Sequence, residues 1–357
     1  MNKPNRLEKG DKIAIISLSR GLLGESFMAH QRTLIEERLQ SLGLEVVYTP
    51  NALKGLEFLE KNPDQKAADL KWAFADPEIK MVLCAIGGED TFRTVPYLMK
   101  DPEFAQLVRD NPKIFIGYSD TTTNHLMFQK LGLMTYYGHA AIVDFGELGP
   151  DMLPYSQGWF EKLFAPEPMT AIESSPIWYE ERTNFGPEEF GKPRISHEET
   201  RGYELLSGSG IVEGELLGGC LESLGEALLG DRYREQPAVN EAFELVPLKE
   251  GWRGKILFLE TSEEQPKPER LRQLLEALEA RGIFEAVNGV LIGKPQDETY
   301  YGEYKALYQE IIGKSEKPVL YNLNFGHAHP KCILPVGGKI SIDCDKLTVT
   351  IKEGLVN

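Results

Sequence analysis

The first third of the chain alternates short apolar runs with stretches of helical period. Ile13-Ala14-Ile15-Ile16 follows a Gly10-Asp11-Lys12 turn and is apolar at every position, the pattern of a parallel strand covered on both faces. Leu34, Ile35, Leu39 and Leu42 then recur at helical spacing, and Gly43 stops that helix before a strand over residues 45–48. Residues 64–75 predict a second helix, ended by Asp76-Pro77, and residues 81–86 a third strand that runs out at Gly87-Gly88-Glu89-Asp90. Ile114-Phe115-Ile116 leads into Gly117-Tyr118-Ser119-Asp120 and three threonines, which reads as strand, sharp turn and the start of a helix running through His125 to Lys130. Strand and helix in this alternation give a doubly wound α/β layout with a mostly parallel sheet, whose ligand crevice lies at the carboxyl ends of the strands. Both Gly87-Gly88 and Ser119 fall at such ends.

From residue 146 to residue 208 the period is lost among prolines at 150, 154, 166, 168, 176, 187 and 193. A connection of this length is expected to cover a site. Regular patterning returns over residues 214–224, then a strand over 255–260, a helix over 269–281 with Leu271, Leu274, Leu275 and Leu278 on one face, and a strand over 287–292. A helix over 301–312, a strand over 318–321 and a hairpin of residues 339–342 and 347–351 complete the chain. At 357 residues two domains are expected. We divide the chain into an α/β domain over 1–165, a connection over 166–210, and a smaller C-terminal α/β domain with a mixed sheet over 211–357.

Charge narrows the partners. With 39 Lys and Arg against 55 Asp and Glu, the net charge is −16 and the pI is near 5.0, which argues against nucleic acid or an anionic membrane. No run approaches the roughly 18 apolar residues of a membrane span, and the N-terminus has no apolar signal core; a cytoplasmic protein is expected. Cys84, Cys220, Cys332 and Cys344 form no C-x-x-C pair, so neither a disulfide framework nor a zinc site is indicated.

A serine at a strand-to-helix turn suits nucleophilic catalysis, because the bend lifts the hydroxyl out of the sheet beside backbone N–H groups at a helix start. The bland alternative is that Ser119 or Asp120 only caps the helix. What separates the two is a base and an orienting acid elsewhere. Of the six histidines, His30 and His197 lie in polar surroundings where they are expected to be solvated. His125 shares a helix with Ser119 and should point away from it, and His139 could equally line a site or make a structural bond. The best base is His327, in Phe325-Gly326-His327-Ala328-His329-Pro330, a loop directly after a strand. No third ligand cluster accompanies the H-x-H pair, so no metal is expected. Glu260 ends an apolar strand and is the candidate acid, with a plain surface strand terminus as its alternative; Glu263 and Glu264 resemble the acidic first turn of the next helix.

Gly87-Gly88, Gly117-Tyr118-Ser119-Asp120, Leu216-Leu217-Gly218-Gly219, Leu259-Glu260-Thr261-Ser262-Glu263, and Phe325-Gly326-His327 with Leu334-Pro335-Val336-Gly337 follow one another in the order of the LD-carboxypeptidase family of serine peptidases. The chain resembles that family over nearly its whole length. Within it, the Leu-Glu-Thr-Ser-Glu strand end, the Phe-Gly-His loop and Ser175-Pro176-Ile177-Trp178 are most similar to the microcin C self-immunity peptidases. The resemblance implies a catalytic triad of Ser119, Glu260 and His327, an oxyanion hole from the backbone N–H groups of Gly88 and Asp120, a homodimer, and no metal or other cofactor. It also implies that Trp178 stacks on a nucleotide part of the substrate, where a loop aromatic packed on a domain seam is the plainer reading, and that Gly87 and Glu89 line the substrate. Cys220, Gly230-Asp231 and the segment from Glu89 to Arg93 depart from the subgroup's pattern and put the identity of the substrate in doubt. Hydrolysis of aminoacyl-nucleotide or peptidyl-nucleotide compounds is expected first, cleavage of murein tetrapeptides second, and non-catalytic small-molecule binding third.

Overall fold

The computed structural model describes all 357 residues. The chain divides into two compact units, the first made of Met1–Pro166, Arg182–Arg194 and Leu355–Asn357, the second of Glu167–Glu181 and Ile195–Gly354. No helix is long and apolar enough to cross a membrane.

In the first unit the strands are β1 (Lys12–Ile16), β2 (Glu45–Tyr48), β3 (Ile79–Cys84), β4 (Ile114–Gly117) and β5 (Thr135–Tyr137). They pair in the order β5-β4-β3-β1-β2, every pair parallel. The continuous apolar runs of β1, β3 and β4 are buried, as expected of parallel strands in the interior of a sheet. The helix Pro63–Ala75 begins with proline at its first turn and turns Ala67, Leu70, Ala73 and Phe74 inward. The helix Pro102–Asp110 is capped by the Asp101 carboxylate, which accepts from the N–H groups of Glu103 and Phe104. The strand order reverses between β1 and β3, the switch point at which doubly wound sheets open a crevice. Ser19, Gly87 and Gly88 follow these two strands, and Ser119 follows β4.

Residues 182–194 belong to this unit because two arginines anchor them to one carboxylate. Arg182 meets Glu147 Oε1 at 2.5 Å and Arg194 meets Oε2 at 2.6 Å. Burial alone would raise Glu147, but Arg194 and Arg182 outweigh it and hold the carboxyl below its usual range.

The second unit contains β6 (Thr170–Ile172), β7 (Ile177–Tyr179), β8 (Ser196–Glu198), β9 (Glu204–Ser207), β10 (Ile211–Cys220), β11 (Lys255–Glu260), β12 (Gly289–Gly293), β13 (Val319–Leu323), β14 (Leu334–Val336), β15 (Lys339–Asp343) and β16 (Thr348–Ile351). Its main sheet runs β6-β16-β15-β10-β11-β12-β13-β9. The four strands β10 to β13 are parallel, and antiparallel strands flank them on both sides. β7 and β8 form a separate antiparallel pair. The helix Pro268–Ala280 buries Leu271, Leu274, Leu275 and Leu278, as its period predicts.

Glycine is required inside β10, where Gly218 has φ +155° and a Cβ would lie 1.9 Å from the Phe258 carbonyl oxygen of β11. Backbone cannot yield as a side chain does. Gly218→Ala is expected to lower stability by about 2–4 kcal/mol, read from the urea unfolding midpoint; a midpoint equal to that of the parent protein would contradict the close strand approach.

Candidate active site

Ser119 stands at the end of β4 with φ +66°, a left-handed conformation that costs a non-glycine residue about 1–3 kcal/mol and persists only where the surroundings enforce it. Those surroundings are specific. The Ser119 N–H donates to the Tyr137 hydroxyl at 3.1 Å, and the Thr121 N–H donates to the Tyr118 carbonyl at 3.3 Å. The Asp120 carboxylate accepts from the Ser19 hydroxyl at 2.6 Å and from the Thr91 N–H at 2.9 Å. Behind them the fully buried Lys66 donates to both oxygens of Asp90 at 2.9 Å and to the Ser19 carbonyl at 3.2 Å. The Asp120 side chain therefore has a part of its own, because the carboxylate ties the turn to the loops after β1 and β3. Burial pushes that carboxyl up to about 6, despite the donors from Ser19 and Thr91.

Gly87 approaches the turn so closely that a Cβ there would meet Ser119 Cβ at 2.7 Å and its Oγ at 2.8 Å. Gly88 has φ +151°, and a Cβ on it would strike Ser19 Oγ at 2.3 Å. Glu89 is exposed and Asp90 to Phe92 are buried, so of these departing residues only Glu89 and the half-buried Arg93 present much side chain to solvent. Both histidines near Ser119 in sequence are structural. His125 donates from Nε2 to the Gly117 carbonyl at 3.0 Å and pairs through Nδ1 with the Thr135 hydroxyl at 2.8 Å. Burial lowers it to about 4, which keeps the ring neutral and steadies the strand that carries the turn. His139 donates to the Ser156 carbonyl at 2.8 Å.

In the second unit Glu260 is the last residue of β11 and is wholly buried. One of its oxygens, Oε2, accepts from the His327 backbone N–H at 3.1 Å and from the ring Nδ1 at 2.7 Å. Two contacts on one oxygen fix both the loop and the ring orientation. The fit is tight: a Cβ on Gly326 would lie 2.4 Å from Glu260 Cγ, and one on Gly293 2.9 Å from its Cβ. Glu260 is thus an interior partner of a histidine, and the surface-terminus alternative is excluded.

Glu263 differs from its expectation. The next helix begins only at Pro268, close to its expected start, so Glu263 lies outside the helix's first turn, and its Oε2 reaches His327 Nε2 at 2.9 Å. Burial would lower His327, but Glu260 and then Glu263 reverse this and push it up to about 10. His329 is engaged by Glu181 at 3.0 Å, and no group of three or more metal-ligating side chains is present. Cys220 pairs in register with Glu260 across β10 and β11. Burial, followed by the charges of Glu222 and Glu260, drives its thiol upward, so it is unsuited to act as a nucleophile.

Trp178 is half-buried on β7. The His197 ring stacks on it with centroids 4.3 Å apart and planes at 21°, and Lys294 Nζ lies 5.1 Å from its centroid. His197 is therefore not simply solvated as expected; β8 pairs it opposite Trp178, and Glu180 holds its Nε2 at 2.7 Å. His30 also has a partner, the Phe185 carbonyl at 3.0 Å. The Ser175 N–H donates to Asn324 at 2.9 Å, which fastens the Trp178 segment to the loop that bears His327. Ser119, Gly87, Gly88, Glu89 and Asp120 belong to the first unit, and Glu260, His327 and Trp178 to the second. Sequence reasoning missed Glu263, His197 and Asn324, though Glu263 lay inside the Leu259–Glu263 motif.

Residues 13–138 match the LD-carboxypeptidase N-terminal domain and residues 213–342 the LD-carboxypeptidase C-terminal domain. The chain belongs to the LD-carboxypeptidase family. It is accordingly a hydrolase of the peptidase class, and the non-catalytic alternative is set aside. Its similarity to the crystal structure of an MccF-like protein from Streptococcus pneumoniae in complex with AMP is 44% identity over 96% of this chain and 98% of that one, with a TM-score of 0.92. The microcin C7 self-immunity protein MccF of Escherichia coli is 28% identical over 81% of this chain and 78% of its own length. A probable murein peptide carboxypeptidase of Bacillus subtilis is 28% identical over 99% of this chain and 95% of its own.

Proposed function

We propose that the protein is a serine hydrolase that cleaves an amide or acyl bond in aminoacyl-nucleotide or peptidyl-nucleotide compounds, with Ser119, His327 and Glu260 as its triad. The 44% identity to an MccF-like protein solved with AMP carries the choice of substrate class. Trp178 supports it as an aromatic platform for a base, with one face already held by His197.

His327 takes the Ser119 proton as the hydroxyl attacks the carbonyl, and Glu260 holds the ring tautomer and stabilises the imidazolium. Backbone N–H groups of Gly88 and Asp120 receive the oxyanion, worth about 3 kcal/mol per donor. His327 then protonates the leaving nitrogen, and water hydrolyses the acyl-enzyme. Gly87 and Glu89 border the acyl side. The protein acts as a homodimer, and a monomer mass by light scattering would remove that element alone.

Side-by-side hydrolysis of an aminoacyl sulfamoyl-adenosine and a murein tetrapeptide decides the substrate. We expect kcat/KM to favour the nucleotide compound by at least about a hundredfold, since the loss of a stacked base costs about 1–3 kcal/mol and lost polar contacts add to it. Cleavage of the tetrapeptide alone would transfer the protein to murein turnover.

A further inference from the structure

A triad histidine must present an unprotonated nitrogen to the serine hydroxyl. In His327 both nitrogens face carboxylates, Nδ1 on Glu260 at 2.7 Å and Nε2 on Glu263 at 2.9 Å. A carboxylate offers only acceptors, so a ring bonded at both ends donates twice and is an imidazolium. The arrangement is a resting one, with the base already carrying the proton it should receive.

The two carboxylates differ in freedom. Glu260 is wholly buried and doubly bound to the His327 loop, whereas the Glu263 side chain is 62% exposed. Only Glu263 can turn away without unpacking the sheet. Its neighbour Glu264 is paired with Arg232 at 2.6 Å, and Glu222 accepts from the Ser262 hydroxyl at 2.7 Å and its N–H at 2.9 Å. The charges that act most on His327 are those of Glu260 and Glu263, and Glu260 in turn faces the titratable groups Glu222, Cys220 and Tyr308. Arg232, the cation beside this segment, is already held by Glu264, so the group that can draw Glu263 from the ring is a cation brought by the substrate.

We propose that Glu263 is a specificity-determining residue that caps His327 Nε2 in the free enzyme and transfers to an ammonium group of the substrate, close to the scissile carbonyl, when substrate binds. Built on the Ser-His-Glu reading above, this names the part of an aminoacyl substrate that unlocks the base: its free α-amino group, one carbon from the carbonyl. As the ammonium pairs with Glu263, the imidazolium loses one of its two stabilising charges. The Nε2 proton passes to water, and the nitrogen lone pair becomes available to the Ser119 hydroxyl. A substrate without the ammonium must displace Glu263 uncompensated and is penalised.

The test compares an aminoacyl sulfamoyl-adenosine with its N-acetylated counterpart on the parent enzyme and on Glu263→Gln, with kcat/KM measured from pH 5 to 9. The parent should prefer the free amine by about ten- to a hundredfold, the worth of a charge-assisted hydrogen bond, and Glu263→Gln should bring that ratio close to unity. With the N-acetylated substrate, which has no amine of its own to titrate, the acid limb should move down by about one pH unit or more, because the imidazolium has lost a neighbouring charge. A preference that survives the substitution, or an acid limb that stays in place, overturns the assignment. Inactivity of Ser119→Ala, measured alongside, shows that the triad stands if Glu263 fails, and activity of that variant shows that the triad itself has failed.

Discussion

Ser119→Ala is expected to lower kcat by about 10⁴–10⁶-fold, because removing the nucleophile of a cooperating triad costs about as much as removing all of it. The protein should remain folded. What holds the turn is the Ser119 N–H on Tyr137, the Asp120 carboxylate on Ser19 and Thr91, and the close approach of Gly87, and an alanine side chain leaves these contacts in place. Its unfolding midpoint should therefore match the parent within about 0.5 kcal/mol. Ser119→Gly sharpens the experiment, because glycine adopts φ +66° freely and should raise stability by about 1 kcal/mol while being as inactive as alanine. Inactivity with stability unchanged in one variant and raised in the other assigns the hydroxyl to chemistry and the strain to its presentation. Turnover by Ser119→Ala at the parent rate would return Ser119 to a structural role.

The turn itself was legible in the sequence because its determinants are local. An apolar run ending in Gly117, followed by small polar residues, encodes a buried strand and a helix start within the nine positions from Ile114 to Thr122, and the structure has β4 and the helix Thr122–Leu131 there. The same holds for the helix Pro268–Ala280, whose four leucines share one face. Residues 146–208 carried no such period, since their structure depends on distant partners. Arg182 and Arg194 converge on Glu147, β7 pairs with β8 about twenty residues later, and β9 adds to the edge of β13. None of these leaves a repeat to read. The network beneath Ser119 was hidden for a related reason, with Ser19, Lys66, Asp90 and Asp120 contributed by four separate segments. Glu260 and His327 could be chosen as candidates because each follows an apolar strand, but the carboxylate on the other side of the ring could not: Glu263 looked like helix-start acidity.

Glu260→Gln should lower kcat by about 10³–10⁴-fold, the scale on which a triad depends on its buried acid. The amide matches the carboxylate in shape, so its oxygen can still accept from the His327 N–H and from Nδ1. It brings no charge, however, and the imidazolium formed during attack then loses the buried carboxylate that stabilises it. The same substitution has a signature in stability. The folded-state value of His327 is raised to about 10 from about 6.5 in the unfolded chain, so its contribution is fully present below pH 6.5 and is lost as pH rises through 10. Between those limits the parent should lose stability with rising pH, and Glu260→Gln should flatten that slope while unfolding at a lower denaturant concentration near pH 6. Urea midpoints collected from pH 6 to 10 read both effects without reference to any substrate. A slope that is the same in both proteins would mean that Glu260 does not hold His327 charged, and the orienting acid would have to be sought elsewhere in the second unit.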